Sequence, residues 1–148
     1  MNNDNSFWTS LKWPAAPNLD DYAVFESYCT GRVLLLGSTQ LLLPLATEAW
    51  DIEPRYADSK IVARDWFTLD DHWDTIITDG SLALGKDFTE RLLPIILKHC
   101  NRFVTRAFLN PNWPTTYAVY FPQANELTPV PQEHPINEVY TFYIWQQN

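Results

Sequence analysis

The sequence predicts an α/β protein: a mostly parallel, doubly wound sheet with helices on both faces and an antiparallel C-terminal strand. Three observations carry this. Short apolar or β-branched runs alternate with helical segments through residue 108, the pattern of a parallel sheet with crossover helices. Val33-Leu34-Leu35-Leu36 runs into Gly37-Ser38-Thr39 with no polar alternation, as a strand buried on both faces does. Glu138 to Trp145 is rich in aromatic and β-branched residues, which suits a late strand lying antiparallel at or near the sheet edge.

The elements follow in order. Residues 1–17 read as an irregular arm bearing Trp8 and Trp13. Asn18 is placed to cap a helix with Asp20 and Asp21 in its first turn, Tyr22, Phe25 and Cys29 on one face, and Gly31 as its stop. The first strand is Val33 to Leu36. A short helix is expected from about Gln40 to Ala46, with Pro44 in its early turns where proline is tolerated best. Trp50-Asp51-Ile52 is a brief second strand and Lys60 to Arg64 a third, ending at Asp65-Trp66. Trp73 to Thr78 is a β-branched fourth, closed by Asp79-Gly80-Ser81. A helix capped by Asp87 runs to about His99, its stripe of Leu92, Leu93, Ile96 and Leu97 loosened by Pro94. Arg102 to Phe108 is the fifth strand. Six prolines between Pro111 and Pro135 make 109–137 a loop-rich region, with one short strand at Tyr117 to Phe121. Val139 to Trp145 places large side chains on both faces of the closing strand, so burial on both sides is expected.

At 148 residues the chain is sized for one domain, residues 1–148, with a real core. With 46% hydrophobic and 15% aromatic residues it is not a disordered chain. No apolar run approaches the roughly 20 residues that cross a bilayer, and the polar start, Met1 to Ser6, is not a secretory signal. Cys29 and Cys100 form no CxxC pair, so a reduced, cytoplasmic setting is expected. His72, His99 and His134 show no metal-ligand spacing, and no metal is expected. A net charge of -8 with scattered Lys and Arg argues against nucleic acid and for a small molecule or a protein surface. Asp70-Asp71 reads as a solvated turn.

Ligands of open α/β sheets bind in the crevice at the carboxyl ends of the strands. A tight turn opening a helix there offers N–H groups to a carboxylate or phosphate. The chain has none of the dinucleotide fingerprint, the phosphate loop or a Ser/His/Asp arrangement. It does have, in order, Val33 to Gly37 with Thr39, an acid after strand two, Asp65-Trp66 after strand three and Asp79-Gly80-Ser81-Leu82 after strand four. This series resembles the class I S-adenosylmethionine-dependent methyltransferases, with their Rossmann-like sheet, and in particular a small bacterial group of methyltransferase-like proteins. The resemblance covers roughly residues 7–110.

The resemblance implies S-adenosylmethionine as cofactor and a role for each motif. Gly37, Ser38 and Thr39 would hold its methionine carboxylate; the bland alternative is a plain turn with Thr39 as N-cap. Class I enzymes usually carry two or three glycines here, whereas Ser38 and Thr39 add Cβ atoms, which the smaller group tolerates. Asp51 would accept both ribose hydroxyls, since a carboxylate offers several lone pairs to adjacent donors. Glu53 is the substitute, and a solvated loop acid the bland reading. Only 14 positions separate Gly37 from Asp51, so the unit between them is abbreviated. Asp65 and Trp66 would receive the adenine, or Trp66 is ordinary core. Asp79 and Gly80 would close the pocket beside the methyl group, with Asp79 orienting an acceptor or serving as base; Asp-Gly is also a turn dipeptide in its own right.

Two functions stand open on the sequence. One is methyl transfer to a small-molecule or protein acceptor. The other is a non-catalytic descendant that keeps the fold and uses its surface for a protein partner or a second copy of itself. The depleted glycines and the short unit after strand one favour the second.

Overall fold

The computed structural model describes residue 13 and residues 16–54, 58–108 and 122–147. The strand expected at Tyr117 to Phe121, Trp8 and most of the arm lie outside these. Within them, seven strands form one sheet: β1 (Val33–Leu36), β2 (Glu48–Trp50), β3 (Ile61–Val62), β4 (Trp73–Thr78), β5 (Cys100–Phe108), β6 (Gln132–Pro135) and β7 (Tyr140–Gln146). Their order is β3-β2-β1-β4-β5-β7-β6. β1 to β5 run parallel, and β7 lies antiparallel between β5 and β6.

The two faces of the sheet are read directly from strand alternation. Val33, Leu35, Ile77, Val104, Phe142 and Ile144 point to one face, which is covered by α1 (Leu19–Tyr28) and a 3-10 turn (Gln40–Leu45). Leu34, Leu36, Ile76, Phe103, Tyr143 and Trp145 point to the other, under α2 (Lys86–Lys98) and a second 3-10 turn (Trp66–Thr68). All four residues of β1 are buried, so its uninterrupted apolar run is what a strand packed on both sides requires. Each such side chain contributes about 1.5–3 kcal/mol by leaving water.

Helix α1 starts as expected. The Asn18 side chain accepts from the Asp21 N–H, and Asp21 accepts in return from the Asn18 N–H, a reciprocal cap. Gly31 lies beyond the helix in the left-handed region (φ 63°), and a Cβ there would stand 2.2 Å from Asp74 Oδ2. Only glycine lets the chain turn into β1 past that side chain.

Five expectations need correction. The segment after β1 is a 3-10 turn and not an α-helix, because Pro44 lacks the donor for an α-helical bond and six residues are too few to nucleate one. Strand two is Glu48–Trp50 rather than Trp50 to Ile52, since Asp51 Oδ1 takes the Glu53 N–H and turns the chain there. Helix α2 is preceded by Gly85 (φ 138°), with Asp87 in its first turn but not its cap. β5 begins two residues early, at Cys100. Finally, the segment expected to be loop contributes β6, the outermost strand among the described residues, and the closing strand lies beside it, antiparallel and near the edge as expected.

Candidate functional site

In this strand order, β1 leads leftward to β2 and β3 while β4 and β5 continue to the right. The topological switch point therefore falls between β1 and β4, the place where such sheets bind ligands. Leu36 and Thr78, the last residues of those strands, stand in register. The Thr78 hydroxyl donates to the Leu36 carbonyl at 2.9 Å and locks the two ends together. Gly37 and Asp79 follow, one on each side of the switch point.

Gly37 turns with φ 107°, outside the range an L side chain adopts easily. Its N–H donates to the Trp50 carbonyl at 2.8 Å. That donor is committed to the protein, and no α-helix follows, so the helix-dipole anion site expected of this turn is not formed. Ser38 is fully buried, and its hydroxyl donates to Asp51 Oδ2 at 2.6 Å. Thr39 precedes the 3-10 turn and makes no side-chain cap. Asp51, half-buried at the end of β2, is thus held at both oxygens, by Ser38 and by the Glu53 N–H. Glu53 itself is exposed and serves through its backbone.

The Trp50 carbonyl has a second donor. The Trp66 indole Nε1–H reaches it at 2.7 Å, so one oxygen joins the turn after β1 to the turn after β3. Asp65 is exposed and caps the Trp66–Thr68 turn by accepting from the Phe67 N–H at 2.9 Å. Trp66 sets its edge against Phe88 of α2, with ring centroids 6.1 Å apart. Gly80 adopts the left-handed conformation (φ 86°), which only glycine does cheaply. The following Leu82 carbonyl is tied to α2 by the Thr89 hydroxyl at 2.9 Å. Hydrogen bonds thus tie together the segments bearing Gly37, Ser38, Asp51 and Trp66, and Asp79-Gly80 follows the strand end locked to β1.

Asp79 is not a free carboxylate. Arg106 of β5 binds both its oxygens, Nε to Oδ1 at 2.5 Å and Nη2 to Oδ2 at 3.0 Å. Arg106 is 1% exposed and Asp79 5%, so this is a buried fork-on-fork pair. The same guanidinium reaches Asp21 of α1 at 3.5 Å and lies over the Tyr140 ring, 4.6 Å from its centroid. Tyr140 donates its hydroxyl to Asp21 Oδ1 at 2.6 Å and accepts from the Trp13 indole at 2.7 Å. Burial first, and then the Asp21 carboxylate, push the Tyr140 phenol above its ordinary range. Sequence reasoning missed Arg106, Asp21 and Tyr140 as site residues. The available signal was Arg106 itself, a cation between Thr105 and Ala107 in the buried run from Phe103 to Phe108, where a charge demands a partner.

Other chemistries find little support. Burial pushes the Cys29 thiol up to about 11 and the Cys100 thiol to about 12, far from a reactive thiolate. Among the described residues, no three His, Cys, Asp or Glu side chains are grouped to hold a metal ion, and no helix is long and apolar enough to cross a membrane.

No protein-family model matches the sequence, and no curated protein matches it. Solved structures do. A magnesium protoporphyrin IX methyltransferase from Synechocystis PCC 6803 with bound S-adenosylhomocysteine superposes with a TM-score of 0.62 at 12% identity, over 88% of this chain and 80% of that one. TehB from Haemophilus influenzae gives 0.61 at 11% identity over 97% and 67% of the two chains. The 23S rRNA methyltransferase ErmE gives 0.52 at 14% over 90% and 69%. Likeness at these identities concerns the fold, and the acceptors named for these proteins differ in class. The chain has the fold of the class I S-adenosylmethionine-dependent methyltransferases.

Proposed function

We propose that the crevice at the carboxyl ends of β1 to β4 binds S-adenosylmethionine and that the protein transfers a methyl group to a small-molecule or protein acceptor. The observation that supports this most is the Trp50-Asp51 junction. One carbonyl collects the Gly37 N–H and the Trp66 indole, and the next side chain, Asp51, is aimed by buried Ser38. These bonds join three motifs distant in sequence, Asp79-Gly80 follows the neighbouring strand end, and their chemistry suits the cofactor's parts.

In this reading Asp51, oriented by Ser38, accepts from the ribose hydroxyls. Asp65 and Trp66 flank the adenine, one as acceptor for its amine and one as an apolar edge. Gly37, Ser38 and Thr39 pass along the methionine portion, with Gly37 keeping the backbone bare where approach is closest. Gly80 and Asp79 wall the reacting end. The sulfonium supplies an already activated methyl group, so the protein's task is alignment. Asp79, fixed by Arg106, presents a carboxylate that orients an acceptor N–H or O–H. The net charge of -8 favours an acceptor other than nucleic acid. The two unpaired thiols suit a reducing, cytoplasmic setting.

A second reading rests on a specific observation: Asp51 and Asp79 are both satisfied within the protein, as in a fold that has kept its scaffold and serves a protein partner or a second copy. Calorimetric titration separates the two. Binding of S-adenosylhomocysteine that saturates, and that weakens about tenfold (~1.4 kcal/mol) or more in Asp51→Asn, supports the cofactor site. Absence of heat at millimolar ligand, with no rise in melting temperature, leaves the interaction reading standing.

A further inference from the structure

The groups behind Asp79 carry an imbalance of charge. Arg106 is one guanidinium held between two buried carboxylates, Asp79 at the crevice and Asp21 beneath α1. Tyr140 is a neutral donor to Asp21, and Trp13 a neutral donor to Tyr140. Among the described residues, no other cation pairs with either carboxylate. The sequence from 109 to 121 contains no Lys, Arg or His. Counted over the described residues, the cluster therefore holds two carboxylates against one guanidinium, in surroundings formed by Phe108, Tyr140 and the ends of the sheet. A charge withdrawn from water interacts strongly with whatever opposite charge comes near, because the local dielectric is low.

The position of that excess matters. Asp21 belongs to α1, with its oxygens taken by Tyr140, Arg106 and the Asn18 N–H. Asp79 follows directly on Thr78, whose register partner is Leu36, and so borders the switch-point crevice beside Gly37. A positively charged group entering there balances the cluster, and a neutral one does not.

We infer that the Asp21–Arg106–Asp79 cluster makes this site select a cationic group at its reacting end, so that the sulfonium form of the donor is held more tightly than its neutral, demethylated product. This rests on the cofactor reading above. It adds a direction: the charge lost on methyl transfer weakens the hold on the product.

The test is a calorimetric comparison of S-adenosylmethionine, S-adenosylhomocysteine and sinefungin, which carries an ammonium where the donor carries its methylated sulfur. The wild-type protein is expected to bind both cationic ligands about tenfold or more tightly than S-adenosylhomocysteine. Asp79→Asn keeps the shape and removes one negative charge from the cluster, and is expected to reduce that ratio to below about threefold. Asp21→Asn, on the far side of the guanidinium, is expected to lower the ratio less. Equal wild-type affinities for cationic and neutral ligands overturn the inference while leaving the cofactor reading intact, as does a ratio unmoved in Asp79→Asn. Failure of all three ligands to bind overturns the cofactor reading and this inference with it.

Discussion

Two arginine–aspartate pairs stand at opposite ends of the sheet, and their surroundings give them different work. At the amino ends of β1 and β4, Arg32 pairs with Asp71 at 3.0 Å, both side chains nearly half exposed (46% and 45%). Arg32 also lies over the Trp73 ring, 3.7 Å from its centroid. At the carboxyl ends, Arg106 and Asp79 form a shorter, bidentate pair that is almost wholly buried. An exposed pair gains little, because water screens it and two long side chains must be ordered. A buried pair must offset a large desolvation cost, and replacing it with apolar groups is often neutral or stabilising. A sheet end that needed only stability would have been served by hydrophobic residues. The charged cluster at the carboxyl ends is what the proposed cofactor site would use, and the amino end reads as a brace.

The largest expected effect comes from breaking the buried side of this comparison. Arg106→Met leaves Asp79 and Asp21 buried without their cation and is expected to cost about 3–5 kcal/mol in urea denaturation, or to prevent folding. Arg32→Met is expected to cost less than about 1 kcal/mol. Equal costs would mean that burial does not distinguish the two ends.

Tyr140→Phe comes next. It strips the donor from Asp21 Oδ1 and the acceptor from the Trp13 indole, for an expected loss of about 1–3 kcal/mol. The sign with pH follows from the raised phenol. Its contribution is complete below the ordinary value of 10.0 and declines as pH rises above it. Tyr140→Phe is therefore expected to flatten the alkaline limb of the stability curve, and an unchanged limb would contradict the burial of this hydroxyl.

How much of this was legible in the sequence depends on where each residue finds its partner. β1 and β4 were read to the residue because both are buried runs whose pattern is local. β7 was recognised because Tyr140, Phe142 and Ile144 alternate with Thr141, Tyr143 and Trp145, all buried. β6 was missed: Gln132-Glu133-His134-Pro135 is mostly exposed at the edge, and no hydrophobic period marks a strand whose only credential is pairing with β7. The strand-end residues Gly37, Asp51, Asp65-Trp66 and Asp79-Gly80 were visible as turn chemistry after apolar runs. The Arg106 cluster was not, because it unites positions 85 apart along the chain. Asp21 was legible as a first-turn acid of α1, and it fills that role as well as pairing with Arg106. A residue with a sufficient local explanation gives no sign of a second partner.

Two smaller effects sharpen the amino end. Gly31→Ala places a Cβ 2.2 Å from Asp74 Oδ2 at a φ of 63°, with an expected cost of about 1–2 kcal/mol from the backbone alone. A neutral result in thermal melts would show that Asp74 swings aside freely. At Asp71, burial acts to raise the carboxyl, but hydrogen bonds from Arg32 and Trp73 outweigh it and hold the group below its ordinary 3.8. Its stabilisation is thus present above that value and is lost as pH falls below it. Asp71→Asn is expected to change melting temperature at pH 7 only slightly and to make the melting temperature less sensitive to acid below pH 3.8.

The central claim, that the carboxyl end binds the cofactor, is tested most directly by following indole N–H signals during titration with S-adenosylhomocysteine. The Trp66 indole donates to the Trp50 carbonyl at the crevice, whereas the Trp73 indole donates to Asp71 at the opposite end of the sheet. Nuclear magnetic resonance is expected to show the Trp66 signal, with the Gly37, Ser38 and Asp51 amides, shifting in proportion to saturation while Trp73 stays fixed. A titration that leaves Trp66 and those amides unmoved, or that shifts Trp73 instead, contradicts the account.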